Sequence, residues 1–244
     1  VVIRTGERGG DAAGADVTVS AGASTALGGA VRLSAGEGGV EGGVLSVAAG
    51  EGNVGGDAVV SAGVGRVGDG GDVLLTAGES LTAAGGSVAI EGGAARADAG
   101  GKVAIHGGDG VRGGDAELLG GAGLTSGGGN VLVATVDSAQ DAGDVVVRSG
   151  SSDNADAGDV SIIGGDSATA AAGGIRLQAG SSALKEGASV SISSGFSESQ
   201  AGGDALLSAG SSSLSTGGDI AIAAGSGVDG GGLRVSSGAA SGGY

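Results

Sequence analysis

The chain has 244 residues, of which 62 are glycine; it contains no Pro, Cys, Met or Trp and only two aromatic residues. With so few large side chains, any apolar core must be thin and built from Val, Ile, Leu and Ala. The formal net charge of −16 argues against nucleic acid and anionic lipid as partners, because both need a basic face. The lack of cysteine excludes disulfides, thiolate metal ligands and cysteine nucleophiles.

One repeat fills the chain. Its motif, GGDVxLxAG, is nearly intact at Gly70–Gly78, Gly202–Gly210 and Gly217–Gly225. The first apolar residue of the motif, here called the anchor, recurs seventeen times at spacings of 13 to 16 residues, most often 15. We therefore predict a single repeat domain over residues 1–244, as an excerpt of a longer repeat array. The anchors are Val1, Val17, Val31, Leu45, Ala58, Val73, Val88, Val103, Ala116, Val131, Val145, Val160, Ile175, Val190, Ala205, Ile220 and Leu233.

Each repeat follows the same local pattern. In the repeat of Val73, a second aliphatic residue follows at Leu75, a small residue at Ala77 and a glycine at Gly78. Apolar residues at every second position predict a β-strand with one buried face. We expect the glycines around each strand to need a positive φ or a close backbone approach. Val136 is the exception among the strand-closing residues, and polar arcs are expected between strands.

The predicted fold is all-β: a parallel, flattened, two-sheet β-solenoid of about 15-residue repeats, with two repeats, about 30 residues, in each rung. Two repeats per rung are favoured because the three 13-residue spacings all run from an even-numbered to an odd-numbered repeat. The alternative is one repeat per rung, which would set the aliphatic row against a polar arc. The first and last repeats lack a capping segment, so we expect further repeats or end-to-end stacking.

The candidate metal ligands are aspartates that come directly before a strand. Stacked rungs would align their carboxylates into a ladder, and a hard cation such as Ca²⁺ binds several oxygens at once. The favoured alternative is a structural role, because Asp is a common turn former at a strand entrance. The weak candidates for the ladder are Asp57, Asp72, Asp144, Asp159, Asp204 and Asp219.

No other residues predict a catalytic or cofactor site. His106 is the only histidine and is interpreted as a surface residue. GGDG at Gly107–Gly110 matches the calcium-binding nonapeptide only in part, and the 15-residue period does not fit that repeat. The loop serines at 151–152, 181–182 and 211–213 are interpreted as turn residues, with O-linked sugar as the alternative. The mixed outward side chains do not form the regular threonine rows of an ice-binding face.

The strings GGDVLLTAG, GGDALLSAG and GGDIAIAAG resemble the GGDVxLxAG repeats of very large surface proteins of microbial eukaryotes such as stramenopile algae. Similar GGNIxLxAG strings occur in phage and bacterial surface proteins. The resemblance covers the whole chain. It implies a component of an extracellular fibre, hair or wall, of which tubular flagellar hairs (mastigonemes) are one example.

The sequence therefore predicts a structural, non-enzymatic protein of the cell surface or extracellular space, which forms a fibre, hair or filament shaft. We expect self-association or other filament proteins as partners, possible glycan attachment and no membrane insertion. The alternative is an adhesin shaft or a binding module for a divalent cation, a glycan or ice.

Overall fold

The computed structural model describes residues 2–6, 13–125 and 127–239, and these ranges contain no helix and no β-strand. The prediction of an all-β solenoid, and with it the two-sheet, two-repeat rung, is therefore wrong. Parallel strands must gain enough from pairing over long sequence separations to offset the entropy of ordering the chain. In this chain that cost is high because a quarter of the residues are glycine, while the aliphatic side chains available to repay it are few in each repeat.

Instead of strands, fourteen of the seventeen repeats form a loop that is closed by a single backbone hydrogen bond within the described ranges. Fourteen such bonds, 2.7–3.1 Å long, join an N–H group to the carbonyl oxygen of a glycine six to eight residues earlier. In the loop that follows the repeat of Val73, the amide of Gly86 donates to the carbonyl of Gly78 over 2.9 Å. Loops of this length with adjoining ends resemble compact Ω-loops. We call Gly78 and its equivalents acceptor glycines, and Gly86 and its equivalents donor residues.

Variation in repeat length is confined to these loops. From each donor to the next acceptor the linking segment spans eight residues, as in 71–78 and 86–93, except after Gly129, where Val136 holds the acceptor position without a closing bond. The three shortest loops, 50–56, 108–114 and 225–231, coincide with the 13-residue repeat spacings. The closing hydrogen bond is thus present in the short loops as well as in the longer ones.

The acceptor and donor glycines differ in their surroundings. A Cβ atom on Gly86 would lie 3.3 Å from the nitrogen of Gly78 and 3.4 Å from the Cβ of Ala77, which is tighter than most real contacts. A Cβ on Gly78 itself would meet no atom within 4 Å. None of the described glycines has a φ in the left-handed region. The expected close approach is therefore confirmed at the donor glycines, and the expected positive φ is wrong.

Small residues precede the acceptor because the two ends of each loop meet there. We call this place the loop neck; it contains the acceptor, the small residue before it and the donor. Ala77 and Ala179, both small residues of a neck, are among the few described residues that are half-buried rather than exposed. The neck at Val136 has the β-branched Thr135 in the small position, and its Cγ2 lies 3.4 Å from where a Cβ of Gly143 would be. No closing bond is formed at this neck.

The linking segments keep the alternation that the sequence shows, although they are not paired. Val73, Leu74 and Leu75 are 54 %, 86 % and 72 % exposed, so the anchor and the second aliphatic residue are better covered than the residue between them. The Arg176 guanidinium also donates a hydrogen bond to the side-chain oxygen of Gln178, two residues away. Both observations are typical of an extended chain, in which side chains alternate between two sides.

No core is formed by the described residues. None of them is buried, and the accessible surface is 24500 Å². A compact monomer of 21.8 kDa would expose about 9,300 Å² and the unfolded chain about 32,000 Å². Contacts divide the chain into two units, Val1–Leu118 and Leu119–Tyr244. The same repeat continues through both, and a single domain over 1–244 stays a prediction.

The donor glycine can be tested with a matched pair of substitutions. In Gly101→Ala, the new Cβ would lie 2.9 Å from the nitrogen of Gly93, so the neck must open. Ala188 forms the equivalent bond at 3.1 Å, which shows that a neck can retain its bond around a Cβ. The bond contributes about 0.5–1.5 kcal/mol, so we expect amide hydrogen exchange at residue 101 to accelerate by up to about tenfold.

The control is Gly93→Ala, at the acceptor of the same loop, where a Cβ would meet no atom within 4 Å. We expect exchange at residue 101 to be unchanged in this variant. Equal acceleration in both variants would contradict the assignment of the steric constraint to the donor.

Candidate functional sites

Serine hydroxyl groups stabilise the bend in many of the loops. In six loops the Oγ atom of a serine accepts a hydrogen bond of 2.9–3.0 Å from the backbone N–H three residues later. In two more, at Ser24 and Ser138, the donor is two residues later, at 3.2 Å. Such local bonds are typical of serine in turns. The six serines are Ser80, Ser152, Ser167, Ser182, Ser197 and Ser212.

These eight serines, here called loop serines, share one position in the repeat. Each is the second residue after the acceptor or, for Ser138, after Val136. The prediction that serines of the arcs act as turn residues is confirmed for Ser152, Ser182 and Ser212. Each loop serine lies seven residues after the anchor of its repeat. This fixed spacing identifies the loop serines in the sequence, and the pattern of aliphatic residues does not reveal it. O-linked sugar on the serines at 151–152, 181–182 and 211–213 stays a prediction.

Where the loop serine is absent, glycine usually replaces it. All three of the shortest loops have glycine at this position, namely Gly52, Gly110 and Gly227. A Cβ on Gly52 would lie 2.8 Å from the carbonyl oxygen of Val54, and one on Gly110 equally close to that of Arg112. A side chain at this position would therefore crowd the backbone of the bend. The same holds at Gly38 and Gly65 in two of the longer loops, whereas most of the longer loops use a serine hydroxyl.

The aspartates predicted to form a ladder lie at the start of the linking segments, where all six are exposed. They are Asp57, Asp72, Asp144, Asp159, Asp204 and Asp219. Within the described ranges the structure brings no three acidic or histidine side chains together at a distance suitable for a metal ion. Since the rungs that would stack these carboxylates are not formed, the geometric basis of the ladder is lost. Calcium binding stays an untested prediction.

His106 is exposed on the linking segment that precedes the acceptor Gly108. In the part of the chain that the structure describes, no cavity is enclosed beside it or elsewhere. Gly107–Gly110 contributes to the neck and the tight bend of a short loop: a Cβ on Gly107 would collide with the carbonyl oxygen of Gly114. The glycines of this string therefore have a structural role in the loop.

The loops are less polar than the sequence analysis expected. Most of them carry one large aliphatic residue near the bend, and these side chains are the most exposed in the chain. Val40, Val67, Val111 and Val228 are fully exposed. The interpretation of the arcs as polar is therefore wrong. No helix in the described ranges has the length and apolar character required to span a bilayer.

The role of the loop serines can be tested in the loop that begins at Gly180. Ser182 accepts hydrogen bonds from the amides of Lys185 at 2.9 Å and Leu184 at 3.4 Å. Loss of such a bond costs about 0.5–2 kcal/mol in the related helix-capping geometry. We expect Ser182→Ala to accelerate amide exchange at residue 185 by about three- to thirtyfold.

Ser181→Ala removes the same hydroxyl one residue earlier, where the described structure shows no side-chain hydrogen bond. We expect exchange at residue 185 to be unaffected by this control. If both substitutions accelerated exchange to a similar extent, the hydrogen bond of the Ser182 hydroxyl would not be the cause of the protection at residue 185.

No family model, no curated protein and no solved structure matches the chain. The likeness to Gly-rich surface proteins therefore stays a prediction from the motif, and function has to be argued from the repeat itself.

Proposed function

We propose that this chain is a structural, non-enzymatic segment of an extracellular fibre, hair or filament shaft. The observation that carries the proposal is the repetition of one closed loop fourteen times in the described ranges, with linking segments of eight residues between successive loops except beside the open neck at Val136. A unit repeated in this way gives a long chain that presents the same surface many times, as a shaft or fibre requires. Stacked β-rungs are not needed for these properties.

Charge and hydration support this role. The chain has 27 acidic and 11 basic residues, and the charged side chains for which burial is described are exposed. Like charges distributed along a chain repel one another and oppose collapse. Loops that are closed by local hydrogen bonds can therefore remain separate and hydrated, as expected of a fibre component in water.

The exposed aliphatic residues indicate that the chain functions in an assembly. Hydrophobic residues make up 40 % of the sequence, yet no described residue is buried. Soluble monomers rarely expose large apolar surfaces, and such surfaces usually mark interaction sites. A structural protein that associates with copies of itself or with other filament proteins would cover this surface.

The non-enzymatic part of the proposal rests on composition. Acid–base and nucleophilic catalysis most often use His, Cys or a carboxylate held close to a second functional group. The chain has one histidine and no cysteine. The extracellular location rests on the resemblance of the GGDVxLxAG repeats to surface proteins.

The proposal can be tested by immunoelectron microscopy with antibodies raised against this chain. We expect gold particles at regular intervals along fibres or hairs outside the cell, because the repeats would run along a shaft. Label confined to the cytoplasm would overturn the proposal. Label on isolated rods with a distinct head would support the adhesin shaft instead.

A further inference from the structure

We propose that the anchor and second aliphatic residues of successive repeats form the surface on which a second copy of this chain docks. We call this surface the aliphatic row; in the second unit it runs from Val131 and Val133 to Leu233 and Val235. The inference rests on the proposed structural function, and it names the partner and the contact surface. It requires no strand pairing.

The aliphatic row is present in every repeat of the second unit. In the second unit its positions hold Val, Ile or Leu in every repeat except for Ala205, and none is charged. The residues between and beside the row are mixed; they include Arg148, Arg176 and Arg234 as well as aliphatic residues. The row is therefore the part of the linking segments in which apolar character is maintained.

Exposure distinguishes the row from its neighbours. Val131 and Val133 are 49 % and 67 % exposed, whereas Leu132 between them is 86 % exposed. The same order holds for Val145, Val146 and Val147 and for other repeats. Side chains of the row thus share a partly covered side of the segment, and the uncovered remainder is available to a partner.

The available area suits a specific interface. Fifteen large aliphatic side chains form the row in the second unit, and each keeps between 49 % and 88 % of its surface exposed. A fully buried aliphatic side chain removes about 60–120 Å² from water at 25 cal/mol per Å². Summed over the eight repeats of the second unit, these side chains keep roughly 500–1,100 Å² accessible, against about 800 Å² on each partner in a standard interface, so a stable contact requires most of the repeats to take part.

A second copy is the partner that fits these properties. It presents uncharged aliphatic pairs at the same intervals of 13 to 15 residues, so many pairs can meet at once. The charge of −16 makes nucleic acid and anionic lipid poor alternatives. Because the repeat is regular, two copies can also align after a shift of one whole repeat, and such staggered contacts extend an assembly beyond a dimer.

The test compares two triple variants of the whole chain by sedimentation velocity over a range of concentrations. The row variant is Val147→Asn, Ile162→Asn and Leu207→Asn. The control variant is Val146→Asn, Ile163→Asn and Leu206→Asn, which changes the adjacent residues. Both sets replace one Val, one Ile and one Leu, and all six side chains are exposed in the described structure. Neither set alters the charge.

We expect the unmodified chain to associate more tightly as NaCl is raised from about 10 to 150 mM, because salt screens the repulsion between acidic copies. The row variant should raise the concentration needed for half association by at least about tenfold, and the control by less than about threefold. Amide exchange at the donor residues Gly158, Gly173 and Gly218 should be unchanged in both variants, which checks that the loops are retained.

Equal weakening in the two variants would overturn the inference, because it would indicate unspecific apolar adhesion. An unmodified chain that stays monomeric at all salt concentrations would overturn it as well. Such a result together with label on extracellular fibres would leave the proposed function intact. Association that depends on the row, with label confined to the cytoplasm, would refute the proposed function alone.

Discussion

The hydrogen bond across each loop neck is the constraint on which the rest of this structure depends. It joins residues that are only six to eight positions apart, so it forms at a small entropic cost. The same bond forms in loops of each of these lengths, so the length of the repeat can vary. The linking segments, which carry the aliphatic row, span eight residues except beside the open neck at Val136.

The neck explains several sequence features at once. Donor positions favour glycine because a Cβ would crowd the acceptor backbone, as the 3.0 Å approach at Gly173 shows. The residue before the acceptor is small because the donor lies against it. Thr135 breaks this rule, and its neck is open. Inside the loops, serine or glycine is found at most of the bends, and all three of the shortest loops have glycine there.

The absence of buried residues in the described ranges has a direct consequence for how the chain is stabilised. Local hydrogen bonds define the loops, but each contributes only about 0.5–1.5 kcal/mol. The aliphatic side chains, which would supply most of the stability of an ordinary domain, remain accessible to water. Their free energy is therefore available for association, and this connects the local structure to the proposed role in a fibre.

Much of the local structure could be predicted from the sequence. The repeat, the alternation seen at Val73 and Leu75, the small residue at Ala77 and the exception at Val136 all follow from short-range backbone and steric preferences. Tertiary structure alone decided that the linking segments stay unpaired, that donor rather than acceptor glycines are crowded, and that the aspartates form no ladder. Strand pairing and carboxylate stacking depend on contacts between distant residues, and a period-2 pattern has the same form whether or not its segments pair. The crowding of the donor depends on how the chain folds back over six to eight residues, which the pattern does not specify.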